Sequence, residues 1–400
     1  MTKLVYLDSN DFSDLSKPPD LLTEPDKVVL AALRSARASG RATFFISPIH
    51  LSESVHASTE HKESAVRRAE LMTELGGSNT LRLPTEICRE ELQRALSGTT
   101  EAKCSFSEIC SEADEWFGNT PESNLNQRRS EIADAINGAL RQLSRAERRK
   151  KKSELNPKRK SAHSLIRATI KKGLQLSPPT KIPMELLNPD LVIDWYLGEV
   201  SDAEYRKNSL RILNDHKLLF KYLVDELGFQ NQLYSMIRTH GLKWQTLIES
   251  GLQQLAPLLV DQGKIAQSID LRSVVSSITN ESFLRKIIGA LSEEDLDNTS
   301  FAQIKAAASR SPSTTILLHI VTESILSRLQ STLSRALAGN LAPVRVKSSD
   351  YGDFMHAIYA PYFDVFRCDA AVGEGLRRHR LLQGKVFAKR RDLIDALTSP

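Results

Sequence analysis

Residues 349–369 set the tightest limit on the fold. They read Ser-Asp-Tyr-Gly-Asp-Phe-Met-His-Ala-Ile-Tyr-Ala-Pro-Tyr-Phe-Asp-Val-Phe-Arg-Cys-Asp. This pattern predicts a helix that opens on acidic residues, a turn broken by Pro361, and a short apolar strand that delivers Asp369 at its C-terminal end. Asp350 is placed to cap the helix, and Asp353 falls in its first turn, where the macrodipole favours carboxylates. The first ten residues repeat the theme: a β-type run from Lys3 to Leu7 ends on Asp8, followed by Ser9 and Asn10. After a helix predicted over 26–39, with Gly40 as its C′ residue, a strand at 43–46 leads into a helix whose first turn is expected to hold Ser52 and Glu53. Ligands in open α/β sheets gather at the C-terminal ends of strands. With 49 Asp and Glu in the chain, one acid carries no information, but four at equivalent topological positions do.

The order of these pieces resembles the PIN-domain superfamily, metal-dependent nucleases with a parallel sheet and a cluster of four acids. In that family the first strand ends in Asp, a small hydroxyl residue and Asn, as in Leu7-Asp8-Ser9-Asn10. A Glu after the second strand is matched by Glu53, an Asp three residues before a His by Asp353 and His356, and a final Asp by Asp369. The resemblance covers residues 1–85 and 345–400, about a third of the chain, and more than 250 residues separate the second acid from the third. It implies an α/β, parallel-sheet PIN-like domain assembled from both chain ends and interrupted by a large all-α insertion over 86–344. The implied activity is hydrolysis of RNA phosphodiester bonds at an Asp/Glu-bound Mg2+ or Mn2+ centre. A bacterial toxin or defence role follows from the family alone.

Direct metal ligands are expected from Asp8 and Asp369 at neighbouring strand ends and from Asp353 at its helix start. Glu53 is expected to bind through water or to orient the attacking water, and Ser9 and Asn10 to fix the carboxylates by hydrogen bonds. Mg2+ suits such a set because it takes hard oxygen donors, keeps several waters and needs few carboxylates. His356, one turn after Asp353, is read as a packing or hydrogen-bonding residue with acid–base catalysis as the alternative. Asp350 and Asp364 stand in reserve as ligands, and His50 reads as a loop residue.

Between the two halves the pattern is helix after helix, including 86–97, 105–117, 122–152 and 189–198, with no clear β run until about residue 344. The plainest is 312–338, where Leu318, Val321, Ile325, Leu329, Leu333 and Leu337 recur every three or four residues. That stripe predicts a packed bundle helix or, in the alternative, a coiled-coil dimer seam. The run 141–160 holds ten Lys/Arg against two acids. It reads either as a solvated face or as a phosphate-contacting strip including Arg148, Arg149, Lys150, Lys151 and Lys152. No aromatics interleave with it, so base stacking there is not expected.

Composition agrees with a nucleic-acid partner without requiring one: net charge is +5 and pI about 8.9. No window approaches the ~18 apolar residues of a membrane span, and the N-terminus enters a strand with no secretory pattern. The cysteines at 88, 104, 110 and 368 lack metal or disulfide spacing. A cytoplasmic location without membrane partners is therefore expected. Nucleotide-loop and nucleophile-elbow motifs are missing. Two other readings remain: a PIN-like scaffold that binds RNA or protein without cutting, and a helical module that docks a protein partner or a second copy through the insertion.

Overall fold

The computed structural model describes residues 2–54, 59–99, 101–111, 129–130, 133, 144–147, 149, 163–168, 189–205, 238–239, 241–243, 245–246, 248–250, 281, 284–285, 288–289, 296, 298–340 and 346–398. Two compact units divide the chain: Met1–Cys110 with Leu227–Pro400, and Ser111–Glu226. The first carries β1 (Lys3–Tyr6), α1 (Ser9–Leu15), α2 (Glu24–Ala38), β2 (Ala42–Phe45), α3 (Pro48–Ser54), α4 (Lys62–Gly76), β3 (Thr80–Leu81), α5 (Pro84–Leu96) and α6 (Phe106–Ile109). A two-residue strand β4 (Cys110–Ser111) pairs with β3, and α7 (Pro189–Tyr196) belongs to the second unit. The first unit resumes with α8 (Phe301–Arg310), α9 (Pro312–Leu337), α10 (Asp350–Ala357), β5 (Val365–Arg367), α11 (Ala370–Arg377), β6 (Val386–Phe387) and α12 (Arg390–Thr398).

The main sheet has strand order β2-β1-β5-β6, and every pairing is parallel. Tyr6 at the centre stands between Phe45 of β2 and Phe366 of β5. Parallel neighbours require crossover connections, and helices lie between β1 and β2 and between β5 and β6. Strands covered on both faces read as continuous apolar runs; Val5, Tyr6, Phe44, Val365 and Phe366 are all buried. From β1 the chain goes to β2 on one side, and it later returns to β5 on the other. The strand order therefore reverses between β1 and β5, the position at which open α/β sheets form a crevice. This general α/β architecture, with strands from both ends of the chain around a long and mainly helical stretch, agrees with the sequence expectation at that level.

Several local expectations shift. A short helix for which the sequence offered no reading, α1, covers 9–15 and buries Phe12 and Leu15. A reciprocal cap holds it, with Asp8 Oδ1 accepting the Asn10 N–H at 3.3 Å and Asp11 Oδ2 accepting the Asp8 N–H at 3.1 Å. Buried Asp11 also meets Arg390 at 2.8 Å and Arg367 at 3.4 Å, so α1 is fixed by ion pairs from the far end of the chain. Helix α3 begins at Pro48, which moves Ser52 and Glu53 from the first turn to the last. The helix expected over 105–117 gives way to β4 after Ile109. Gly40, at φ +68°, turns the chain from α2 towards β2 as expected.

Helix α9 lies against the α/β core. Ile316, Leu317, Ile320, Val321, Ile325, Leu326 and Leu329 belong to the same buried cluster as Tyr6, Phe363 and Phe366. Much of the stripe that suggested a dimer seam is thus covered within the chain; the Leu337 side chain lies outside the described residues. At the head of α9, buried Glu91 of α5 accepts the Ser313 N–H and the Ser311 hydroxyl, each at 2.9 Å. It also accepts the Cys104 N–H at 3.2 Å and the Tyr362 hydroxyl. A carboxylate without water is tolerable there because donors, including one at the positive end of a helix, surround it.

In the second unit, buried Trp195 stacks on Tyr205 with centroids 4.4 Å apart and donates to Asp202 at 2.7 Å. The Arg129 guanidinium lies 4.7 Å over the same indole. Among the described residues no helix is long and apolar enough to cross a membrane.

Candidate functional site

Asp8 follows β1 by two residues and Asp369 follows β5 by two, so both carboxyls leave the sheet at the reversal point. Each caps the helix after it. Asp369 Oδ1 accepts the Val372 N–H at 2.7 Å, as Asp8 Oδ1 accepts that of Asn10. Capping occupies one oxygen of Asp8 only. Its Oδ2 is buried and has no hydrogen-bond partner, on a residue 5 % exposed. Burial pushes the Asp8 carboxyl up to about 6, with Asp11 and Glu53 adding to the rise and His356 and Arg367 opposing it.

Asp353 lies on the first turn of α10 and lines one cleft with Asp369. Its carboxyl is pushed up to about 9, first by burial and then by Asp369, Glu53, Asp8 and Asp350. Desolvation and like charge both disfavour the ionised form, so Asp353 holds a proton at neutral pH when no cation is near. Glu53 reaches the group from α3. Its Oε2 lies 3.0 Å from His356 Nε2, and a Cβ at position 352 would overlap its Oε1. Gly352 is therefore the residue that lets α10 approach Glu53. Burial raises Glu53, but the His356 charge and hydrogen bond, with a further bond from Ser9, outweigh it and hold this carboxyl below its usual range.

His356 ties these pieces together. Ser9 Oγ lies 3.2 Å from its Nε2, and the Tyr6 hydroxyl lies 2.5 Å from its Nδ1. Tyr6 continues to Ser47 at 2.8 Å. The Ser47 N–H donates to His50 Nδ1 at 2.9 Å, which leaves the His50 proton on Nε2 to meet the Leu7 carbonyl at 2.8 Å. A buried chain of hydrogen bonds thus runs from Glu53 through His356 and Tyr6 to the residue before Asp8. Tyr6 stays an O–H donor because burial, aided by Tyr359, keeps its hydroxyl well above the usual range.

Asp8, Glu53 and Asp369 all act on the Asp353 carboxyl, although about 300 residues separate Glu53 from Asp353 in sequence. Ser9 joins them through His356, whereas Asn10 contributes its backbone N–H and has an exposed side chain. His50 is a fully buried anchor on α3, which corrects its reading as a loop residue. Asp350 does not cap α10; its carboxylate pairs with Arg328 of α9. Asp364 joins β1 to the approach to β5, accepting the Leu4 N–H at 2.9 Å and donating its own N–H to the Leu4 carbonyl at 3.1 Å. Of the basic run, Arg149 is exposed, and Arg148, Lys150, Lys151 and Lys152 lie outside the described residues. The four cysteines are free.

Tyr6, Ser47, Arg328 and Arg367 carried no sequence signal. A glycine between two helix-start acids was the one visible hint. Among the described residues, no group of three or more His, Cys, Asp or Glu side chains is arranged to hold a metal ion. Mg2+ does not demand such a cage, since one or two carboxylates and several waters suffice. The unpartnered Asp8 oxygen and the mutual repulsion around Asp353 fit a cation held in that way. No family model, curated protein or solved structure matches the chain.

Proposed function

We propose that the chain is a metal-dependent ribonuclease built on a PIN-like domain, with Asp8, Glu53, Asp353 and Asp369 as its acidic centre. One observation carries the reading: at the point where the strand order reverses, between the ends of β1 and β5 that bear Asp8 and Asp369, the buried Asp8 Oδ2 lacks any partner. Asp8, Asp353 and Asp369 are the residues that would hold Mg2+ or Mn2+, with Glu53 beside them. When bound, the ion supplies an activated water and stabilises charge on the phosphate and leaving oxygen. Glu53, ionised and oriented by His356 and Ser9, accepts a proton or hydrogen bond from the attacking water. His356 acts as a positioning residue, held by Tyr6 on one side and facing Glu53 on the other. The basic run over 141–160 would add sequence-independent affinity for RNA phosphates.

Labelled RNA and DNA incubated with Mg2+, Mn2+ or EDTA test the activity. RNA cleavage with either ion, blocked by EDTA and reduced roughly 100-fold or more in Asp8→Asn, is the expected outcome. Asn caps a helix as well as Asp does, so this variant keeps α1. Wild-type cleavage by Asp8→Asn would exclude Asp8 from the centre. The lack of a ready-made three-ligand group among the described residues favours a second reading, a scaffold that binds RNA or protein without cutting. Under it, Mn2+ titration finds no site that depends on Asp8 and Asp369.

A further inference from the structure

A cleft of about 190 Å³ opens beside the acids. Asp353 and Asp369 line it, but so do Glu323 and Arg328 of α9, Asp350 of α10 and Arg378 just after α11. One wall of the candidate site thus comes from the helix that the sequence placed in the insertion. That wall has a chemical problem to solve. An RNA strand is a polyanion, and carboxylates predominate in this cleft. Phosphate enters only where a cation receives it, and the cations lining the cleft are Arg328 and Arg378.

The two arginines are held differently. Arg378 is half exposed and pairs with Glu323 at 2.9 Å and Glu374 at 3.0 Å. Arg328 is mostly buried, at 18 % side-chain exposure. One terminal nitrogen meets Ser324 and the other meets Asp350, while its Nε–H is buried without an acceptor. A guanidinium fork matches a phosphate as well as it matches a carboxylate. Asp350 occupies the place that a phosphate oxygen would take, and the Nε–H remains to be satisfied.

Resting on the ribonuclease reading, we infer that Arg328 receives a backbone phosphate of the RNA by releasing Asp350, with Arg378 adding a weaker contact at the more exposed position. Asp350 then serves as a placeholder anion that keeps Arg328 oriented in the free protein. Helix α9 is the substrate-docking wall, and Asp353 and Asp369, which line the same cleft, belong to the reaction centre.

The proposal gives opposite signs for the two halves of one ion pair. Binding of a fluorescein-labelled 12-nucleotide oligouridylate is followed by anisotropy, in EDTA and in Ca2+, over a series of KCl concentrations, with the full-length protein. Arg328→Gln should weaken binding about tenfold, the loss of a charge-assisted hydrogen bond, and lower the salt slope by about 0.7. Asp350→Asn should tighten binding about threefold, because it frees the arginine and removes a like charge. Arg378→Gln should lose about threefold. Both Arg328→Gln and Asp350→Asn break the same tether, so thermal melting should fall alike in the two, which separates binding from folding. Equal weakening of RNA binding by both would make the pair a structural tether and overturn the proposal, as would wild-type affinity in Arg328→Gln. No RNA binding by the wild-type protein in either buffer would also overturn it. A parallel assay with Mn2+ keeps the two readings apart. If RNA is bound through Arg328 but never cut, the ribonuclease reading fails and the docking wall stands. If RNA is cut with an unchanged KM in Arg328→Gln, the docking wall fails and the ribonuclease reading stands.

Discussion

Glu91, fully buried, and Asp353, partly buried at the cleft, are acids of the same compact unit whose surroundings are of opposite kinds. Four donors converge on Glu91: two backbone N–H groups and the hydroxyls of Ser311 and Tyr362. Around Asp353 stand Asp369, Glu53, Asp8 and Asp350, and its carboxyl rises to about 9. A buried acid with its donors supplied joins elements together; here it joins α5, α9 and the turn at residues 360–362. An acid among other acids costs stability unless a proton or a cation relieves the repulsion. What each acid faces decides which case it is.

Glu91→Ala should have the largest effect on stability. It leaves several buried donors unpaired and a cavity behind, for a loss of about 4 kcal/mol in urea unfolding. A loss below about 1 kcal/mol would place Glu91 in the same class as a surface acid and dissolve the comparison.

Asp353→Asn should act in the other direction. A carboxyl raised in the fold above its unfolded value near 4 destabilises progressively as pH rises between those two values, because the unfolded chain ionises first. Asn carries no such dependence. The variant should melt at about the wild-type temperature at pH 5 and be more stable by roughly 2 kcal/mol at pH 8 in EDTA. Wild-type protein should also release a proton when Mn2+ binds at pH 7, seen as a buffer-dependent calorimetric enthalpy, and the variant should not. A difference between the two proteins that does not grow with pH would return Asp353 to an ordinary helix-start acid.

Gly352→Ala sharpens the contrast at the smallest cost to the fold. The new methyl overlaps Glu53 Oε1, so Glu53 must shift from its place beside His356. We expect about 1 kcal/mol of destabilisation and a disproportionate fall in RNA cleavage, with RNA affinity in EDTA unchanged. Cleavage that falls only as far as stability does would mean that the position of Glu53 is immaterial.

Asp8, Asp353 and Asp369 stood out because each ends an apolar run or opens a helix, and local patterning exposes such breaks; Glu53 stood out only by following the second strand, and its place in the last turn of α3 was missed. The same logic placed β1, β2 and β5 within a residue or two. It failed where tertiary partners decide. Helix α1 is rich in Ser and Asp, which favour turns over short helices; buried Asp11 with Arg390 and Arg367, together with Phe12 and Leu15, reverses that preference. The periodicity of α9 revealed an apolar face but not its partner, so a helix assigned to a bundle proved to cover the α/β core. Glu91 looks like any other helix glutamate in the sequence. Its donors come from residues 104, 311, 313 and 362, which no local window contains.

The central strand pairing has a consequence for how the protein comes to exist. β1 lies beside β5, and the Leu4–Asp364 contact that flanks them spans 360 positions. A ribosome adding about 5–20 residues per second takes roughly 20–70 s to cover that interval. During that time the nascent chain carries Asp8 and Glu53 without Asp353 or Asp369, and one edge of β1 waits without its partner. Asp8 and Glu53 can meet Asp353 and Asp369 only after residue 369 has been made, so the four acids come together late relative to the strands and helices of residues 3–54.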